Sequence, residues 1–148
     1  MTVTVDFFAA SKRHHADAML LQKEGREPNA GHLFGFSAEC GIKALLVDSG
    51  YPTDPDGDLK KPSQPTPDAR KHVDELSGLM HNIIASLSGR SGAQFLAQIP
   101  NVGNFADWKV SHRYYAASSI PPSLEKWQVA ADEVQGMLQN LQSNKGLI

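Results

Sequence analysis

Apolar positions return every three or four residues along most of the chain, the spacing of one face of an α-helix. The first such stretch opens at Asp6, a good N-cap, and runs to about Glu24, ahead of Gly25 and Pro28. Phe7, Ala10, His14, Ala18 and Leu21 form its inward face. The second stretch begins near Asn29, a suitable cap, and ends at Gly50, a suitable C′ residue. One face carries Leu33, Phe36, Ser37, Cys40, Ala44 and Val47; Phe34, Ala38, Ile42, Leu45 and Leu46 make most of the remaining circumference apolar. A helix apolar nearly all round belongs in the middle of a bundle. Gly31, Gly35 and Gly41 each cost that helix roughly 1 kcal/mol relative to Ala, a cost that makes sense if another backbone comes close.

A third helix follows Asp68, with Val73, Leu76, Met80, Ile83 and Leu87 on one side, and stops at Ser88-Gly89. A short fourth segment covers about Ala93 to Ile99, Asn101 to Asp107 reads as loop, and Trp108 to Tyr115 as a helical turn or short helix. The last helix opens around Pro122 and carries the cleanest seam: Leu124, Trp127, Ala131, Val134, Leu138 and Leu141. Strand-like alternation is confined to Thr2–Val5, too short to found a sheet. These patterns predict an all-α, up-and-down bundle of four to five helices.

The punctuation is uneven. Five of the nine prolines fall between Tyr51 and Asp68, which makes residues 51–68 a long loop rather than a helix or central strand. Loops of that length are often functional; the sequence leaves open whether this one orders over a site or stays free. The 148 residues suit a single domain, 1–148, with one core. One cysteine, no secretory-type leader and no apolar run of membrane-spanning length point to a cytoplasmic protein. With 14 basic against 16 acidic residues, a broad nucleic-acid-coating face is excluded. The charges are unevenly placed, however. Between Leu76 and Ala106 the only charged residue is Arg90, counting His as neutral, and so bare a stretch predicts a covered surface, most simply that of a homodimer.

Two groups carry candidate chemistry. Glu39 and Lys43 stand at i and i+4 in the favourable order and interrupt the apolar central helix. They read either as a half-buried, self-satisfying pair or as one wall of a polar pocket with Arg113 or His72, suited to a phosphate or nucleotide. Trp108, His112, Arg113, Tyr114 and Tyr115 are the densest aromatic and basic group. Such residues stack bases and hold phosphates in single-strand binders, and equally pack Trp and Tyr into a core. The six histidines have no metal-binding spacing, so neither metal nor cofactor is expected, and Cys40 reads as a small core residue.

The string His32-Leu33-Phe34-Gly35-Phe36-Ser37-Ala38-Glu39-Cys40-Gly41-Ile42-Lys43-Ala44-Leu45-Leu46 resembles the central helix of the HEPN domains (higher eukaryote and prokaryote nucleotide-binding). Ala9 to Gly25 is similar to that family's first helix, Lys71-His72-Val73-Asp74-Glu75-Leu76 to the start of its third, and Trp108 to Arg113-Tyr114 to a late Trp…Arg-Tyr element. The resemblance spans roughly residues 6 to 142 in order and spacing, and implies a HEPN-like bundle. Active members are metal-independent ribonucleases with Arg, four to six residues, then His on a late helix near a dimer interface. Here the only such spacing is Arg26 to His32, early in the chain and interrupted by Pro28, while the late region reads His112-Arg113, reversed and adjacent. The resemblance therefore implies a non-catalytic module binding a partner protein, nucleotide or RNA, with a nucleotidyltransferase-type partner in a toxin–antitoxin or regulatory pair. Its rivals are an RNA-cleaving toxin using His112 and Arg113, and an interaction bundle without a small ligand.

Overall fold

The computed structural model describes residues 2–87 and 92–145. Among the described residues five α-helices make up the bundle: α1 (Phe7–Lys23), α2 (Glu27–Asp48), α3 (Val73–Ser86), α4 (Gly92–Leu96) and α5 (Leu124–Asn144). Three 3₁₀ turns, Val102–Asp107, Val110–Tyr114 and Ala117–Ser119, lie between α4 and α5. The architecture is all-helical, as the periodicity predicts. The third helix's expected stop at Ser88-Gly89, and Arg90, lie outside the described residues. No helix among the described residues is long and apolar enough to cross a membrane.

The start of α1 follows the sequence reading. Asp6 has extended backbone and its carboxylate accepts the Ala9 N–H at 2.9 Å, satisfying an otherwise free donor of the first turn. Of the face expected to turn inward, Ala18 is fully buried and Phe7, Ala10, His14 and Leu21 are partly so. Ser11, which periodicity did not single out, is also buried. Its hydroxyl donates to the Ser37 carbonyl at 2.7 Å and accepts from the Gln135 side chain at 2.8 Å, which pins α1, α2 and α5 together at one level. His15 on α1 reaches Asp132 on α5 at 2.7 Å.

α2 departs from expectation in three ways. It begins at Glu27, two residues before the expected Asn29 cap, because Pro28 sits in the first turn, where its missing N–H costs nothing. Pro28 therefore does not interrupt the segment from Arg26 to His32. The core is drawn mainly from the remaining circumference: Ala30, Phe34, Ala38, Ile42, Leu45 and Leu46 are buried with Ser37, whereas Leu33, Phe36, Cys40, Ala44 and Val47 are only half-buried. Finally, the glycines admit side chains rather than a backbone. Trp127 lies over Gly31, the Trp108 indole over Gly35, and Val134 over Gly41; a Cβ on Gly31 would stand 2.8 Å from Trp127 Cε3. Indole and isopropyl groups fill the notches that missing Cβ atoms leave, giving α2 and α5 a close interlock.

Residues 51–72 are an ordered crossover. Tyr51 is buried and its hydroxyl accepts the Ala69 N–H at 2.9 Å, closing the base of the loop; Leu59 and Ala69 are buried beside it. Asp54 accepts the N–H groups of Asp56 and Asp58, and Gly57 adopts φ +94° in the tight turn that follows. Val5 is not in a strand; its N–H donates to the Asp56 carbonyl at 2.7 Å, so the N-terminal segment is held by the loop. α3 starts four residues later than the Asp68 expectation. Asp68 instead accepts the Arg70 N–H and grips the Arg70 guanidinium, making a local turn that competes with helix. The crossover delivers His72 back to the middle of α2, beside Glu39.

Between α4 and α5 the chain is also more ordered than a loop. Val102 and Phe105 on the first 3₁₀ turn are buried. Asp107 accepts the Trp127 indole N–H at 2.9 Å and the Ser123 hydroxyl, locking this turn to the start of α5. Of the expected α5 seam, Trp127, Ala131, Val134, Leu138 and Leu141 are buried and Leu124 is partly so.

Candidate ligand site at the start of helix 3

Glu39, Lys43 and His72 come together as the sequence suggested. Glu39 is buried in the middle of α2, and its two carboxylate oxygens are divided between partners. One takes a Lys43 ammonium proton at 3.0 Å, one turn further along α2; the other meets His72 Nδ1 at 2.9 Å across the gap to α3. The carboxylate side chain is 8% exposed and that of Lys43 12%, so the pair is largely desolvated, whereas His72 is about half-exposed. The buried acid thus positions one cation and one imidazole at the rim of the bundle.

Trp108 is fully buried and packs in the core. It stacks on His32, with ring centroids 5.0 Å apart and planes 19° from parallel, and meets the edge of Phe36 at 5.3 Å. His72 lies 6.4 Å from the same indole and 6.1 Å from Phe36, so an aromatic and imidazole cluster backs the Glu39 network. Neither His32 nitrogen nor the Trp108 indole N–H has a partner among the described residues. Burial, reinforced by the positive fields of His112, Arg113 and His72, pushes the His32 imidazole down to about 4.

That depression has a consequence for stability. Between about pH 4 and the ordinary histidine value of 6.5, the unfolded chain takes up a proton at position 32 that the folded chain does not. Stability should therefore fall as pH drops from 6.5 toward 4, and level off below. His14 and His112, also lowered by burial, act in the same direction. The His32→Phe variant, which keeps a ring against Trp108, should show a flatter dependence of the unfolding midpoint over this interval. An unchanged slope would assign the effect to the other histidines.

His112 and Arg113 do not form a joint constellation. His112 is 6% exposed, packs 5.2 Å from Tyr115 and 6.0 Å from Trp127, and its Nδ1 accepts the Lys109 N–H at 3.4 Å. Arg113, the next residue on the 3₁₀ turn, faces solvent, with its guanidinium carbon 4.9 Å from the Tyr114 ring centroid. Tyr114 is 76% exposed and Tyr115 about half-exposed. The turn is tied to the first turn of α3 by Lys109, whose ammonium lies 3.0 Å from Asp74. The expected aromatic and basic group is therefore split: Trp108 and His112 point inward, while Arg113, Tyr114 and Tyr115 remain outside.

No protein-family model, curated protein or solved structure matches the chain.

Three contributors escaped the sequence reading of this region. The sequence pairs His32 with Arg26, yet Arg26 is exposed and His32 turns into the cluster; its spacing of four from Phe36 is the available signal. Arg70 and Lys71 precede His72 at the end of the proline-rich crossover, and their place beside Lys43 depends on how that crossover returns. Burial, with the adjacent Glu39 charge, raises the Cys40 thiol to about 11, which disfavours the thiolate. Among the described residues no three His, Cys, Asp or Glu side chains converge as a metal-ligand set.

Proposed function

We propose that this chain is a non-catalytic, HEPN-like helical module that binds a nucleotide or RNA strand on the surface around the start of α3. The observation that carries the reading is the exposed Arg113–Tyr114 stack. An aromatic plane left 76% exposed, with a guanidinium lying over it, is well suited to a nucleobase and its phosphate. Tyr115 and Lys109 extend the same surface toward the first turn of α3. The inward-turned His112 ring supports the non-catalytic assignment, since a general base must reach the proton it removes.

The test is fluorescence anisotropy with a single-stranded RNA of about twelve nucleotides, run beside a cleavage gel. Base stacking is worth about 1–3 kcal/mol per base, so the double variant Arg113→Ala/Tyr114→Ala should weaken binding by roughly tenfold or more, with the RNA intact throughout. Equal affinity for wild type and variant would remove the reading. Cleavage lost on His112→Ala would replace it with the ribonuclease reading.

Assembly belongs to the same proposal. Beyond Glu75, the exposed positions of α3, of α4 and of the residue after it include His81, Asn82, Ala85, Ala93, Gln94 and Ala97, and this uncharged stretch supports a homodimer. Light scattering at micromolar concentration should give twice the 16.1 kDa chain mass, and a monomer mass would exclude it. A nucleotidyltransferase-type partner in a toxin–antitoxin or regulatory pair rests on the HEPN resemblance alone.

A further inference from the structure

Lys43 and His72 also face a second feature, an open cleft of about 220 Å³ completed by Asp58, Leu59, Arg70 and Lys71. Binding sites for drug-sized molecules run about 300–1,000 Å³, so this cleft suits a compact group rather than a whole nucleotide. Its donors arrive from different parts of the chain. Lys43 comes from α2, Arg70 and Lys71 from the end of the crossover, and His72 from the residue that precedes α3.

The acids that pair with these bases hold them without exhausting them. Glu39 occupies one Lys43 proton and the Nδ1–H of His72, leaving Lys43 two further donors, while His72 Nε2 donates only when the ring is the imidazolium. Asp68 takes the Nε and one Nη2 donor of Arg70, leaving the Nη1 side of the guanidinium. Neither Glu39 nor Asp68 lines the cleft; Asp58 is the one carboxylate that does. Lys71 is exposed and has no ion-pair partner among the described residues.

We infer that this cleft binds the terminal phosphate of a phosphomonoester, such as a mononucleotide or the phosphorylated end of an RNA strand. A phosphomonoester presents three free oxygens and close to two negative charges, matching donors that converge from separate directions. An internal phosphodiester has two free oxygens and one charge, and would leave part of the set unused. Asp58, the carboxylate in the lining, disfavours broad anion capture. The inference rests on the proposed nucleotide-binding function and adds the feature of the ligand that the site selects.

The experiment is a ¹⁵N–¹H NMR titration of the full chain with adenosine monophosphate, adenosine, and the dinucleoside monophosphate of adenosine, which contains only a phosphodiester. The monophosphate should shift the amides of Leu59, Lys71 and His72 saturably, adenosine should leave them in place, and the dinucleoside should bind at least roughly tenfold more weakly. Lys71→Glu should abolish the shifts and Lys126→Glu, on the exposed side of α5, should not. Lys71→Ala provides the same comparison should the charge reversal perturb folding. Absent cleft shifts, equal binding of monoester and diester, or equal losses in the two lysine reversals would each overturn the assignment. If the RNA strand still binds through Arg113 and Tyr114 in that event, only the cleft assignment falls; if strand binding is also absent, the parent reading falls with it.

Discussion

Gly35→Ala should destabilise the protein in the wild-type background and stabilise it once Trp108 has been cut to alanine. The Gly35 position on α2 has no room for a Cβ, because the Nε1, Cε2 and Cδ1 atoms of Trp108 already occupy that space. The indole is fully buried and held on its other sides by His32 and Phe36, so it cannot withdraw without opening the cluster. Overpacking of this kind costs about 1–3 kcal/mol or more. Trp108→Ala alone removes a large ring from a packed core and should cost about 3–5 kcal/mol. In that background the new methyl group enters vacated space. The intrinsic preference of a helix for alanine over glycine, about 1 kcal/mol, then acts unopposed. Denaturant unfolding of the four members of this cycle checks the change of sign. If Gly35→Ala costs the same in both backgrounds, the contact does not limit the position.

The same contact shows how far the sequence could be read. Three glycines in a helix signalled close approach, and close approach is what occurs; the pattern could not say that Trp108, Trp127 and Val134 make it. Helix positions were legible because periodicity, Asp6 and the glycine stops are local signals. The inward face of α2 was not, because a helix apolar on all sides gives periodicity no contrast to work with. The 3₁₀ turns around Trp108 were partly legible as a helical turn, but which ring points inward is decided by the tertiary fit of Gly35 and Trp127. The Glu39–Lys43 pair was visible as an i, i+4 spacing and His72 as its possible neighbour. Arg70 and Lys71 could not be placed, since their position depends on Tyr51 closing the crossover from eighteen residues away onto Ala69. Local chemistry was therefore readable, and juxtapositions made by the long crossover were not.

Glu39→Ala should be among the most damaging single changes, and the loss should be recoverable without restoring a charge. The substitution leaves the Lys43 ammonium with a side chain only 12% exposed and no carboxylate beside it, and it releases His72 from the α2 surface. Removing one partner of a buried pair costs about 3–5 kcal/mol, because the remaining charge stays desolvated. The intact pair itself contributes far less, since attraction largely offsets the desolvation of both groups. The double variant Glu39→Leu/Lys43→Met removes both charges while keeping similar volume, and should recover most of that stability. Glu39→Gln should fall between, because the amide oxygen still accepts from Lys43 but carries no charge. Function should separate from stability in this series. Because Lys43 lines the phosphate cleft, the recovered double variant should still lose affinity for adenosine monophosphate, and wild-type binding would make the pair structural only. With Lys43 as a phosphate donor held in place by Glu39, the double variant is stable and its affinity is reduced by roughly tenfold, the loss of a charge-assisted hydrogen bond. Thermal unfolding and the monophosphate titration, run on the same three variants, distinguish the two outcomes.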